Sequence, residues 1–145
     1  MIIREVKESE LEELLNLYGY LKSDDILEKN NETIIVWENI LEYKNQHIIV
    51  VEIDEKIVSS CVVTIIPNLT HNSRPYAVVE NVVTDLNYRK QGLATACLDY
   101  AKSLAIKENC YKLMLLTGSK RESTLKFYEK AGYNRNDKTA FVQWI

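Results

Sequence analysis

Apolar residues fall first at strand spacing and then at helix spacing along the N-terminal third of the chain. Ile2 to Val6 is a short β-branched run that predicts a strand. Leu11, Leu14, Leu15 and Tyr18 then share one helical face, behind a Ser9-Glu10-Leu11-Glu12 segment that predicts a capping box. Asp24 to Asn31 is polar and predicts a connection, after which Ile34, Trp37, Ile40 and Leu41 resume the helical interval. His47 to Ile53 and Ile57 to Ile66 are rich in β-branched residues, and Asp54-Glu55-Lys56 between them predicts a tight hairpin. Pro67 to Pro75 reads as a polar, mobile loop.

The second half alternates strand and helix. Tyr76 to Asp85 is apolar except at Glu80 and Asn81, and predicts a strand. From Gly92 to Glu108, Leu93, Cys97, Tyr100, Ala101 and Leu104 form one helical face, opposed by Asp99, Lys102 and Ser103. Tyr111 to Thr117 predicts a strand of the buried type. Ser119-Lys120-Arg121-Glu122 offers a second capping box for a helix that runs to Ala131, with Gly132 at its C-terminal end. Tyr133 to Arg135 and Ala140 to Ile145 are expected to be strands closing the sheet. The order β-α-α-β-β-β-α-β-α-β-β gives an α+β fold, one mixed and mostly antiparallel sheet flanked by helices. With no linker, repeat or low-complexity stretch, residues 1–145 read as one domain.

Composition narrows the function classes. The chain is 46% hydrophobic and 27% charged, which excludes a disordered segment. Apolar runs such as Ile48 to Val51 fall far short of the ~20 residues of a membrane-spanning helix. The start, Met1-Ile2-Ile3-Arg4-Glu5, lacks the basic and apolar blocks of a secretory signal. Cys61, Cys97 and Cys110 are odd in number and set among apolar neighbours, the pattern of reduced thiols in a cytoplasmic protein. The four glycines, Gly19, Gly92, Gly118 and Gly132, are too far apart for a dinucleotide or nucleoside-triphosphate loop. His47 and His71 have no ligand at metal spacing, so no metal site is expected. A net charge of −3, without a basic stripe, argues against nucleic acid as a partner.

One helix start carries chemistry. The first N–H groups of a helix need partners, and Ser, Thr, Asp or Asn usually supplies one. Before the helix that follows Asp85 stand Tyr88, Arg89, Lys90, Gln91 and Gly92, two cations and a glycine where a cap belongs. Free N–H groups, the positive helix end and flanking cations suit a phosphate or pyrophosphate. The plainer alternative is that Arg89 and Lys90 are solvated loop charges and Gly92 serves a turn. The location after a buried strand favours the ligand.

Arg89-Lys90-Gln91-Gly92-Leu93-Ala94 resembles the R/Q-x-x-G-x-G/A signature of the GNAT superfamily of acyl-CoA-dependent N-acetyltransferases. Val79-Glu80-Asn81-Val82-Val83-Thr84 before it is similar to the family's cofactor strand. Phe127-Tyr128-Glu129-Lys130-Ala131-Gly132-Tyr133 is similar to its last helix and the following turn. The resemblance implies that the central parallel strands splay and that acetyl-CoA binds in the gap. It assigns the pyrophosphate to the backbone of Lys90, Gln91, Gly92, Leu93, Ala94 and Thr95, helped by the charge of Arg89. Pantetheine falls to Val82, Val83 and Thr84, and the thioester oxygen to the N–H of Val82.

The resemblance also makes Tyr128 the donor to the departing thiolate, the alternative being core packing beside Leu125 and Ala131. Glu80 is the candidate general base, on the expectation that an apolar strand desolvates it and raises its pKa. A structural carboxylate is the alternative. Arg121 stands where many relatives have a cofactor-contacting Asn, and could instead reach a phosphate. The reaction implied is direct acetyl transfer to a primary amine, of a small molecule or peptide, in a ternary complex. An acyl-enzyme is disfavoured because Cys61 and Cys97 lack a histidine partner. A non-catalytic acyl-CoA-binding sensor or partner module is the other reading. Dimers are common among such relatives, so a homodimer is possible.

Charge adds one expectation. Residues 1–60 carry 6 basic and 14 acidic side chains, net −8, whereas residues 61–145 carry 12 and 7, net +5. The basic part suits an anionic nucleotide. The acidic part, with Asp24, Asp25 and Glu28 between the first two helices, suits a cationic acceptor amine. Plain solvated surface is the competing explanation.

Overall fold

The computed structural model describes residues 1–21 and 27–145. Five strands form one sheet in the order β1-β2-β3-β4-β5: β1 (Ile2–Glu5), β2 (Gln46–Ile53), β3 (Lys56–Ile66), β4 (Tyr76–Thr84) and β5 (Leu113–Leu115). The first three neighbour pairs are antiparallel, and β4 pairs β5 in parallel. The helices are α1 (Leu11–Tyr18), α2 (Asn31–Glu42), the four-residue turn α3 (Thr70–Ser73), α4 (Leu93–Lys107) and α5 (Glu122–Lys130).

Alternation along the strands divides the core in two. Ile49, Val51, Cys61, Val63, Ala77 and Val79 pack against the buried face of α4, with Phe127 and Tyr128 of α5 partly covered beside them. The intervening Ile48, Val50, Val62 and Val83 pack against Leu11, Leu14 and Leu17 of α1 and Trp37 of α2. A one-residue slip would exchange these two sets of side chains, so the pattern fixes the register. The β2–β3 turn has Asp54 (φ 50°) and Glu55 (φ 61°) both left-handed, the geometry that matches the twist of the flanking strands.

Several expected boundaries move. Ser9 caps nothing: a single 3-10 turn (Glu8–Glu10) precedes α1, and the Glu10 carboxylate accepts the Lys7 N–H at 2.7 Å while pairing with Arg4. Ser119 is likewise not the cap of α5, which starts from Arg121 with no side-chain cap. The strand expected over 111–117 pairs only over Leu113–Leu115, because β4 turns away beyond Val79. Residues 67–75 are pinned, with His71 stacked on Tyr111 at 3.8 Å and Arg74 donating to the carbonyls of Asn109 and Cys110. The expected strands at 133–135 and 140–145 do not form; the tail carries Phe141 at 92% and Trp144 at 93% exposure. A strand needs a hydrogen-bonded neighbour, and this tail has none among the described residues.

Candidate active site

The site is built where β4 leaves β5. Their parallel pairing ends at Val79 and Leu115, so from Glu80 onward β4 has no strand partner on that side among the described residues. On its other side the β3 register shifts: Val62 faces Glu80 and Ser60 faces Val83, leaving Asn81 and Val82 opposite Cys61. Asn81 is left-handed at φ 52°, a conformation Asn tolerates better than other non-glycine residues. This is a β-bulge, which bends the strand and takes one residue out of the ladder. The splay therefore follows from a single extra residue.

Below the bulge, Ser59 Oγ lies 2.9 Å from the Val83 carbonyl, to which it donates, and 2.8 Å from Thr84 Oγ1. Val82 sits on the α4 side together with Tyr128, which is half-buried and touches Phe127 (ring centroids 4.9 Å apart) and Tyr133 (6.2 Å). Burial, then Cys61 and the Glu80 carboxylate, push the Tyr128 phenol above its ordinary range. Gly132 at φ 94° ends α5, with its N–H bonded to the Glu129 carbonyl and the Tyr133 N–H to that of Tyr128. That cap fixes the end of the helix carrying the tyrosine.

The loop after β4 is held by a buried carboxylate. Asp85 accepts the Asn87 N–H at 2.9 Å and the Lys56 ammonium at 2.8 Å. Lys56, then the Asn87 amide, hold the Asp85 carboxyl below its ordinary range. Lys56 also lies 5.3 Å over the Tyr88 ring. Arg89 bends back, its Nε donating to the Thr84 carbonyl at 3.2 Å. Lys90 (φ 63°) and Gly92 (φ 80°) are both left-handed, and Gly92 caps α4 with no side-chain bond to the first turn. A Cβ built at Gly92 would meet nothing within 4 Å, so the glycine opens onto free space. The N–H groups of Leu93, Ala94 and Thr95 thus lack a side-chain cap at the positive end of a 15-residue helix.

Residues 9–133 match the model of the Acetyltransferase (GNAT) family. The chain belongs to that family. It is 28% identical over 141 residues to the glucosamine 6-phosphate N-acetyltransferase of Trypanosoma brucei brucei, covering 94% of this chain and 90% of that one. A solved structure from Agrobacterium tumefaciens str. C58 that bears an acetyltransferase's name shares 33% identity at a TM-score of 0.93, covering 99% of this chain and all of that one. The glucosamine-6-phosphate N-acetyltransferase of Arabidopsis thaliana has the same fold at 23% identity (TM-score 0.87; 99% of this chain and 97% of that one).

In this GNAT fold the predicted residues fall into three groups. Val82, Val83 and Thr84 lie on the splayed edge, and Arg89 to Thr95 form the loop and helix start. Tyr128 faces the same core as Val82 from α5. Glu80 is exposed rather than enclosed, so the desolvation expected of it is absent: the splay opens its side of the strand to solvent. Arg121 stands exposed at the N-cap of α5. Asp24 and Asp25 lie outside the described residues, and Glu28 is exposed.

Two features escaped the sequence. The Asp85–Lys56 pair joins positions 29 apart, and no local pattern marks it. Asn81, noted only as a polar interruption, sets the bulge. It also borders a small cavity of about 140 Å³ under α1, lined with Tyr18, Trp37 and Val62. The Tyr18 hydroxyl and Ser60 Oγ are buried without a hydrogen-bond partner among the described residues, and burial pushes the Tyr18 phenol up to about 12. A shallower cleft of about 610 Å³ near Asn45, Pro67 and Glu108 is at the other end of β4.

Proposed function

We propose that this protein transfers the acetyl group of acetyl-CoA to a primary amine bound in the same complex. The observation that carries the reading is the capless start of α4 beside the splayed edge of β4. A pyrophosphate meets uncapped N–H groups there, and an extended amide arm finds strand edge without a neighbour. Gly92 leaves the backbone approachable, and Lys90 and Arg89 add positive charge. The Val82 N–H is the donor for the thioester oxygen, where negative charge grows as the amine attacks. Tyr128, protonated at neutral pH, gives its proton to the departing thiolate.

Glu80 takes the proton of the incoming amine through solvent, since it is exposed rather than enclosed. Arg121 contributes long-range attraction for the phosphates. The acceptor is a small amine, and an amino sugar is the first class to try because the Trypanosoma relative is named for one.

The test is a thiol-release assay with acetyl-CoA and a panel holding amino sugars, their 6-phosphates, polyamines, aminoglycosides and peptides. Release of CoA matched by N-acetylated product, with intersecting double-reciprocal plots, is the expected result. Parallel plots would indicate an acyl-enzyme. Tight CoA binding without turnover of any amine would make the protein an acyl-CoA sensor.

A further inference from the structure

Tyr18 Oη and Ser60 Oγ are buried with no hydrogen-bond partner among the described residues. Buried polar atoms are nearly always paired, so two orphans close together call for a partner from outside the chain. They are close: the Ser60 and Asn81 side chains both stand near enough to Tyr18 to bear on its proton affinity. Burial outweighs them, so the phenol keeps its proton and can donate.

Tyr18 and Asn81 line the cavity of about 140 Å³ under α1. Its walls are mostly apolar, Leu14, Val36, Trp37 and Val62 among them, and none of the described lining residues is charged. A cavity of ~150 Å³ with aliphatic walls admits a benzene-sized guest. A charged group placed here would lose its hydration without a counter-charge from those residues.

The place of the cavity ties it to the bulge. Val62 pairs with Glu80 across β3 and β4, so the carboxylate leaves the sheet on the cavity's face. Ser60 is two residues before Val62 on β3 and shares that face. Asn81 lies between Glu80 and Val82, the residues to which the amine and the thioester oxygen are assigned.

We propose that this cavity seats the side group of the acceptor, a neutral, benzene-sized apolar group that ends in a hydroxyl. The hydroxyl completes Tyr18, Ser60 and the Asn81 amide, while the amine stands at Glu80 and the Val82 N–H. The assignment rests on the acetyl transfer proposed above and narrows its acceptor. An amino sugar is polar on every side, and its 6-phosphate adds charge, so neither matches these walls.

Two readouts test this, one of them without turnover. Calorimetric titration with 4-ethylphenol, which has the ring and the hydroxyl but no amine, should show saturable binding at one site. Tyr18→Phe deletes only an unpaired hydroxyl, so the protein should fold, and the affinity should fall about tenfold. Val36 is 56% exposed although it lines the cavity, so Val36→Phe should fill the space in a folded protein and abolish the binding. In thiol release, tyramine should exceed phenethylamine in kcat/KM, and both should exceed glucosamine and its 6-phosphate. Tyr18→Phe should lower the tyramine-to-phenethylamine ratio about tenfold.

No binding of 4-ethylphenol, binding indifferent to both variants, or a higher kcat/KM for either sugar overturns the proposal. Amines acetylated without these dependences leave the reaction standing and remove the cavity from it. Binding of 4-ethylphenol that follows both variants, with no amine acetylated, upholds the cavity as a binding site and defeats the reaction instead.

Discussion

Tyr128 and Asp85 are two buried or half-buried polar side chains whose environments pull their proton affinities in opposite directions. Burial raises the Tyr128 phenol, so the hydroxyl keeps its proton past the ordinary tyrosine value of about 10. Tyr128→Phe should lower kcat by ~10²-fold with little change in KM for acetyl-CoA. The wild-type rate should show no fall due to this group until the pH exceeds about 10. A wild-type kcat in the variant, where chemistry limits the rate, would leave Tyr128 only its packing role.

Asp85 behaves the other way. Its folded-state pKa is lowered, so its stabilisation is complete above the unfolded value of about 3.9 and is lost as pH falls through the folded value. Asp85→Asn should lower the melting temperature at neutral pH, and its loss should be smaller in acid than that of the wild type. A parallel acid limb in thermal scans of the two proteins would remove Asp85 from that role.

At the scale of elements, the start of α4 is the most exposed part of the functional reading. Gly92→Val places a β-branched residue at φ 80°, where the strain is about 1–3 kcal/mol, and puts bulk into the free space before the helix. CoA affinity by calorimetry should fall more than about tenfold in a protein that still folds. Unchanged affinity would move the pyrophosphate elsewhere.

The elements themselves were legible because periodicity is local. Helices α1, α2 and α4 and the β2–β3 hairpin stand where the apolar spacing puts them, although Leu41 of the expected α2 face is exposed and Leu17 joins the buried face of α1. The caps misled because Glu10 is taken by Arg4 and the Lys7 amide, partners that lie upstream of the Ser9 motif. The tail misled for a different reason. Its composition marks a strand, but whether a strand forms depends on a neighbour that composition does not name. The glycine loop was readable from its missing cap; Asp85–Lys56 was not, because nothing local connects the two positions.

Across the whole molecule, the charge division bears on the acceptor. Residues 1–60 are net −8 and residues 61–145 net +5. If the acidic part draws in the amine, a cationic acceptor should show a higher kcat/KM than a neutral one of the same size. The preference should shrink as salt rises to physiological strength, where the Debye length is about 8 Å. Asp24→Asn/Asp25→Asn should reduce it at low salt. Equal or greater kcat/KM for neutral or anionic amines at every ionic strength would leave the division without bearing on specificity, and a phosphorylated amino sugar is the informative anionic member of that series.

Lys56 is the first residue of β3, and Asp85 directly follows β4. The anchor of the proposed cofactor loop is therefore assembled only when β3 and β4 have come into register. Such non-local pairing is slow, because chain closure must precede any gain from contact. During refolding, the ability to hold CoA should thus return in step with the sheet signal and never ahead of it, even though the proposed pyrophosphate residues Arg89 to Thr95 come from one short stretch. Helix α4 formed early on its own would have the right sequence and no grip.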